Sequence, residues 1–105
     1  HWRVRRLDPM DDETATFSDD AYEKRTESLL AVDEHVGRIA DLLRKRGALD
    51  GTMVMYTSDN GFQLGQHRLR IDKRQPYEHD VRVPFVVSGP GFPMGTTSDA
   101  IVLNV

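Results

Sequence analysis

At 105 residues and 38% apolar content, the chain has the size of one small domain at most and can support a modest core. Its 17 acidic and 14 basic residues leave a formal net charge of −3, so no global basic field recommends nucleic acid or an anionic membrane as a partner. The cysteine count is zero, which excludes a disulfide framework, a thiolate metal site and a cysteine nucleophile within the chain, and leaves the compartment unreadable from cysteines.

The first residues, His1-Trp2-Arg3-Val4-Arg5-Arg6, lack the apolar middle of a signal peptide, and no apolar run approaches the ~20 residues a membrane helix needs. There is no initiator methionine, and the chain stops inside the apolar run Ala100-Ile101-Val102-Leu103. Both ends read as those of a piece of a larger protein, from which a signal peptide could have been lost. Leu7 to Glu13 reads as a polar loop.

From Ser18 the pattern changes. Ser18 reads as an N-cap, Asp19 and Asp20 sit where the helix dipole favours acids, and Phe17 can staple against Tyr22. Tyr22, Leu29, Val32, Val36, Ile39 and Leu43 recur at sums of three and four, which places them on one helical face. Arg44-Lys45-Arg46 before Gly47 is the matching C-terminal signal, giving a helix of about seven turns. Asp33, Glu34 and His35 do not form a metal cluster, because consecutive helical side chains point roughly 100° apart.

Thr52 to Thr57 is β-branched or apolar without polar alternation, the pattern of a strand buried on both faces in an α/β sheet. Val83 to Val87 is a second candidate strand, with Pro84 near its start. Gly89 to Gly95 is a turn-rich loop, and Ala100 to Val105 begins a third strand. The reading is an α/β fold in which the long helix packs on a buried, largely parallel sheet.

The candidate chemistry starts at Asp59-Asn60-Gly61, directly after the first strand. Ligands of open α/β sheets gather outside the carboxyl ends of strands, and a carboxylate and an amide oxygen are hard donors suited to Ca²⁺ or Mg²⁺. The competing reading is a β-hairpin turn, since Asn-Gly is the strongest two-residue hairpin signal, although residues 62–69 do not alternate like a returning strand. Local pattern favours the hairpin. Downstream, Asp72 to Pro84 is dense in ionisable groups. Lys73 there could serve as a point charge for an oxyanion and His67 could donate to the same ligand, but composition alone favours a solvated loop.

Taken together, Asp59-Asn60-Gly61, Gly65-Gln66-His67, Lys73, Tyr77-Glu78 and Val81-Arg82-Val83-Pro84 resemble the sulfatase family of the alkaline-phosphatase-like superfamily. The similarity runs from about Tyr22, through Lys24-Arg25 and Leu29 to Asp33, to Gly89-Pro90-Gly91. The resemblance implies a calcium-dependent sulfuric ester hydrolase acting on 6-O-sulfate esters of N-acetylglucosamine units in glycosaminoglycans. It implies one Ca²⁺ with Asp59 and Asn60 among its ligands, sulfate contact by Lys73, and His67 beside the substrate. Tyr77-Glu78 and Val81-Arg82 match signature positions that shape the site.

The family's formylglycine nucleophile, made from Cys or Ser, precedes a Pro and an Arg at spacings of two. Ser88-Gly89-Pro90-Gly91-Phe92 misses that signature at Phe92. Residues 1–105 therefore read as the later part of a sulfatase catalytic domain, inactive by itself. Its partner would be a sulfated sugar, and its setting lysosomal, secreted or periplasmic. A phosphoester or phosphonate hydrolase of the same superfamily, or a non-catalytic binder of sulfated glycan, are the alternatives.

Overall fold

A computed structural model describes Arg5 and residues 7–103. Helix α1 runs Asp12–Lys45, 34 residues, about 51 Å at the usual rise. It begins earlier than the Ser18 cap predicts. Asp11 is the N-cap, its Oδ1 accepting from the Thr14 N–H at 2.7 Å, and hydrogen bonding to Thr14 holds the Asp11 carboxyl below the usual carboxylate range. Asp12 and Glu13 then occupy the first turn, where the dipole favours acids. Ser18 lies inside the helix, buried, with its hydroxyl donating back to the Thr14 carbonyl at 2.8 Å.

The other end follows the sequence. Gly47 adopts φ +64°, its N–H reaches the Arg44 carbonyl at 3.0 Å, and the Ala48 N–H reaches Leu43 at 2.9 Å. This is the paired closure of a Schellman motif, which needs a left-handed residue at that position. Asp33, Glu34 and His35 do not converge on an ion. Glu34 accepts from Arg38 at 3.2 Å and the His35 ring donates to the Ala31 carbonyl at 2.6 Å.

Strand β1 (Val54–Thr57) pairs with β2 (Phe85–Ser88) in register Val54↔Ser88 to Thr57↔Phe85. Both strands fall within a residue or two of their predicted spans. The pair is antiparallel, so the expected largely parallel sheet is not found among the described residues. An apolar run signals a buried strand but carries no information about the direction of its neighbour, which the connection decides. Residues 100–103 form no strand, and residues 104 and 105 lie outside the described residues. A single-turn helix, α2 (Glu78–Val81), precedes β2.

The expected burial is absent. Among the described residues no apolar side chain is buried; Tyr22, Leu29, Val36 and Ile39 on the predicted face of α1 are exposed, as are Met55, Phe85 and Val86 in the strands. The radius of gyration is 18.3 Å, against about 13 Å for a compact chain of this length. The apolar patterning is real, but among the described residues nothing buries it. Conformational entropy is then not offset by hydrophobic burial. The isolated 105-residue chain is accordingly expected to show no cooperative heat absorption in scanning calorimetry. A sharp two-state transition from the monomeric chain would refute that.

Candidate functional site

The site lies on the connection between the two strands. Asp59, Asn60 and Gly61 follow β1 directly, but the chain does not return on itself there: β1's partner is β2, far downstream. The hairpin reading is overturned. The corner is instead knotted locally. The Ser58 hydroxyl donates to the Asn60 carbonyl at 2.8 Å, and the Asn60 N–H donates to Asp59 Oδ1 at 2.9 Å.

The Asn60 side chain is oriented by its two partners. Its Nδ2 donates to the Gly61 carbonyl at 2.7 Å, which leaves Oδ1 facing outward, where the Lys73 ammonium donates to it at 3.3 Å. An amide's nitrogen and oxygen ends are distinguished by such a network. Two groups separated by thirteen positions are thus brought to one point at the carboxyl end of β1. Lys73 and Asp59 are exposed and Asn60 is half-buried.

The Lys73 loop is held by a bridge between Gln63 and Asp72, in which the Gln63 N–H donates to the Asp72 carbonyl at 3.0 Å. Gln63 is 1% exposed and its Nε2 donates to the Arg70 carbonyl at 2.8 Å. Asp72 Oδ1 accepts from the Lys73 N–H at 2.7 Å. On the other side, α2 carries two carbonyls to the corner: Asp80 accepts from Gly61 N–H and His79 from Phe62 N–H, each at 2.7 Å.

His67 occupies a 3-10 turn, Gln66–Arg68, with φ +58°, and Arg68 follows at φ +61°. Consecutive non-glycine residues in the left-handed region are uncommon and cluster at functional sites. The exposed His67 ring lies 4.6 Å from Tyr77 and 5.1 Å from His79, centroid to centroid, so His67 faces the α2 side of the site. Of the signature positions, Tyr77 joins this ring cluster, and Glu78 and Arg82 form an exposed ion pair at 3.5 Å.

Sequence reasoning missed Gln63 and Asp80, the buried polar residues that carry the loop geometry. Asp80 was one more acid in a charged stretch, and no periodicity sets it apart from its solvated neighbours.

Among the described residues no three His, Asp or Glu side chains converge as a metal cluster. Asp59 and Asn60 contribute hard oxygens to one corner, with Asn60 Oδ1 already turned toward a cation, the Lys73 ammonium. That donor chemistry fits part of a calcium shell, which takes 6–8 oxygens in all. A cleft of about 440 Å³ lies elsewhere, lined by Asp11, Thr14, Phe17 and Arg70 among others, and holds none of the four candidate residues.

Comparison with known proteins places this chain in a family. The Sulfatase family model matches residues 1–102, and the chain belongs to that family. It is similar to N-acetylglucosamine-6-sulfatase of Bos taurus, 43% identical over 106 residues, which cover 100% of this chain and 19% of that protein. It is also similar to N-acetylglucosamine-6-O-sulfatase of Bacteroides thetaiotaomicron, 47% identical over 79 residues, covering 74% of this chain and 14% of that protein. An extracellular sulfatase SULF-1 homolog of Drosophila melanogaster is 41% identical over 104 residues, or 99% of this chain and 9% of that protein. The chain thus spans about a fifth or less of the length of these relatives. No solved structure matches.

Proposed function

We propose that residues 1–105 are the later portion of a sulfatase catalytic domain, and that the full-length enzyme hydrolyses 6-O-sulfate esters on N-acetylglucosamine units of glycosaminoglycans. The observation that carries this reading is the 3.3 Å contact between Lys73 Nζ and Asn60 Oδ1. It draws together a family position that would ligate calcium, Asn60, and one that would contact the sulfate, Lys73, in a chain whose relatives carry N-acetylglucosamine-6-sulfatase names. In the complete domain β1 would lie in a largely parallel sheet with β2 as an antiparallel neighbour, an arrangement common in large α/β sheets.

In this proposal Asp59 and Asn60 hold part of a calcium site, and Lys73 neutralises charge on the sulfate oxygens. His67, on the α2 side, hydrogen-bonds the substrate. Bound calcium supplies electrostatic polarisation of the sulfate ester. The formylglycine nucleophile and the remaining ligands belong to sequence outside this chain. Among the described residues no helix is long and apolar enough to cross a membrane. We infer a lysosomal, secreted or periplasmic setting, in keeping with the extracellular name of one relative.

The test is release of sulfate from N-acetylglucosamine 6-sulfate by the full-length enzyme before and after chelation. Metal-stripped enzyme is expected to lose activity and to regain it with added calcium. Asp59→Ala and Asn60→Ala should each weaken calcium binding at least about 10-fold, measured by titration calorimetry. Undiminished turnover by enzyme shown to be metal-free would remove the calcium role. Turnover of a phosphate monoester in preference to the sulfate ester would remove the sulfatase reading.

A further inference from the structure

We propose that Asp80 is a positioning residue that sets Lys73 against the Asp59-Asn60 corner, through separate side-chain and main-chain contacts. The proposal rests on the reading of Lys73 as the sulfate contact.

Asp80 is 3% exposed, where among the described residues no apolar side chain is buried. Its side-chain Oδ2 accepts from the Gln75 N–H at 2.7 Å, two residues beyond Lys73. Its main-chain carbonyl accepts from the Gly61 N–H at 2.7 Å, one residue beyond Asn60. One residue therefore ties down both partners of the 3.3 Å Lys73–Asn60 contact. Its own backbone is fixed in turn by α2, where the Asp80 N–H reaches the Tyr77 carbonyl at 2.9 Å.

The second carboxylate oxygen, Oδ1, is buried with no hydrogen-bond partner among the described residues. A buried acceptor left unpaired is costly, and an aspartate in that position calls for a role beyond filling space. A hydrogen bond from a main-chain N–H to a carboxylate is of the strong, charge-assisted kind. Gln75 precedes Pro76, and neither Lys73 nor Arg74 belongs to a helix or strand, so this contact is a restraint on the C-terminal side of the Lys73 loop.

The two attachments respond differently to substitution. Asp80→Ala removes the contact to Gln75 and keeps the carbonyl that holds Gly61. The Lys73 loop should loosen while the metal corner stays put. In the full-length enzyme, Asp80→Ala is expected to lower kcat/KM for N-acetylglucosamine 6-sulfate about 10-fold, the effect of losing one charge-assisted hydrogen bond. Its calcium Kd should stay within about 2-fold, because the main-chain bond from Gly61 to the Asp80 carbonyl, which holds the corner, survives the substitution.

Asp80→Asn, which retains an oxygen for Gln75, should recover most of the activity. Asp80→Ala added to Lys73→Ala should cost nothing further, since both act through one ammonium group. Hydrogen exchange at the Gln75 amide should accelerate in Asp80→Ala and remain slow in Asp80→Asn.

The proposal is overturned if calcium affinity and kcat/KM fall together, if only the melting temperature moves, or if the Gln75 amide exchanges equally in parent and Asp80→Ala. Wild-type kinetics in Lys73→Ala, with faster Gln75 exchange in Asp80→Ala, would instead sink the sulfate-contact reading and leave the positioning geometry standing. Should Asp80→Ala not accumulate as folded protein, Asp80→Ser replaces it in every arm, because its hydroxyl stops short of the Gln75 amide.

Discussion

Lys73→Ala in the full-length enzyme is expected to lower kcat/KM for N-acetylglucosamine 6-sulfate by about 10²–10³-fold, the range typical of removing one preorganised donor from a developing anion. The side chain is exposed and its ammonium rests on an amide oxygen at 3.3 Å rather than on a carboxylate. A neutral hydrogen-bond partner does not cancel the ammonium charge as a carboxylate would, which leaves it usable by a sulfate oxygen. The nearest ion pair in the loop, between Asp72 and Arg74 at 3.5 Å, does not involve Lys73.

Lys73→Arg should restore little of this activity, because a planar guanidinium cannot present one compact charge from the same position. Calcium affinity gives a second, opposite readout. An ammonium beside Asn60 opposes a cation at the corner, so Lys73→Ala should leave calcium binding unchanged or strengthen it. Steady-state kinetics and calcium titration on the same preparation separate the two effects. Wild-type kinetics in Lys73→Ala would show that the lysine meets solvent rather than substrate.

The parts of this molecule that could be read from sequence are those set by local rules. The C-terminus of α1 was legible because Arg44, Lys45 and Gly47 satisfy a stop that involves neighbours in sequence only. The N-terminus was misplaced by about two turns because Ser18 and Asp11 are both good caps, and nothing local decides between a cap and a buried helical serine. Both strands were legible as apolar runs, yet their direction was not, since pairing is a property of the chain between them.

The corner at Asp59-Asn60 shows the same division. Asn-Gly encodes a change of direction, but whether a hairpin follows depends on residues 62–69, which turn instead into the Gln63–Asp72 bridge. Family resemblance selected Lys73, His67, Asp59 and Asn60, and the structure brings Lys73 to Asn60 and His67 to Tyr77 and His79. What neither pattern nor resemblance revealed was the scaffold. Gln63 and Asp80 act through main-chain hydrogen bonds, and a side chain that binds backbone imposes no spacing on the residues it holds.

Gly61→Ala is expected to damage the site more than any other single methyl group added to it. Gly61 does not have a positive φ, so backbone conformation is no obstacle to alanine. Space is. A Cβ at this position would stand 2.0 Å from the His79 carbonyl oxygen, 2.7 Å from the His79 carbonyl carbon and 3.0 Å from that of Asp80. All three are main-chain atoms of α2 and cannot swing aside like the end of a side chain.

Relief requires the corner and α2 to part, which breaks the two 2.7 Å bonds from Gly61 N–H and Phe62 N–H. Asp59 and Asn60, immediately upstream, are carried with the corner. A displacement of about 1 Å at groups that orient a substrate can cost on the order of 10²-fold in rate. We expect that loss in kcat/KM for Gly61→Ala, together with weaker calcium binding and a lower melting temperature.

Gly37→Ala supplies the comparison. Gly37 sits in α1 on the side of Asp33 and Asp41, four residues away in each direction, and an added Cβ there meets nothing within 4 Å. Alanine should leave kinetics and calcium binding unchanged and stabilise the helix by about 1 kcal/mol. If Gly61→Ala matched Gly37→Ala in activity and calcium affinity, the close approach of α2 to the Asp59-Asn60 corner would not exist in the working enzyme.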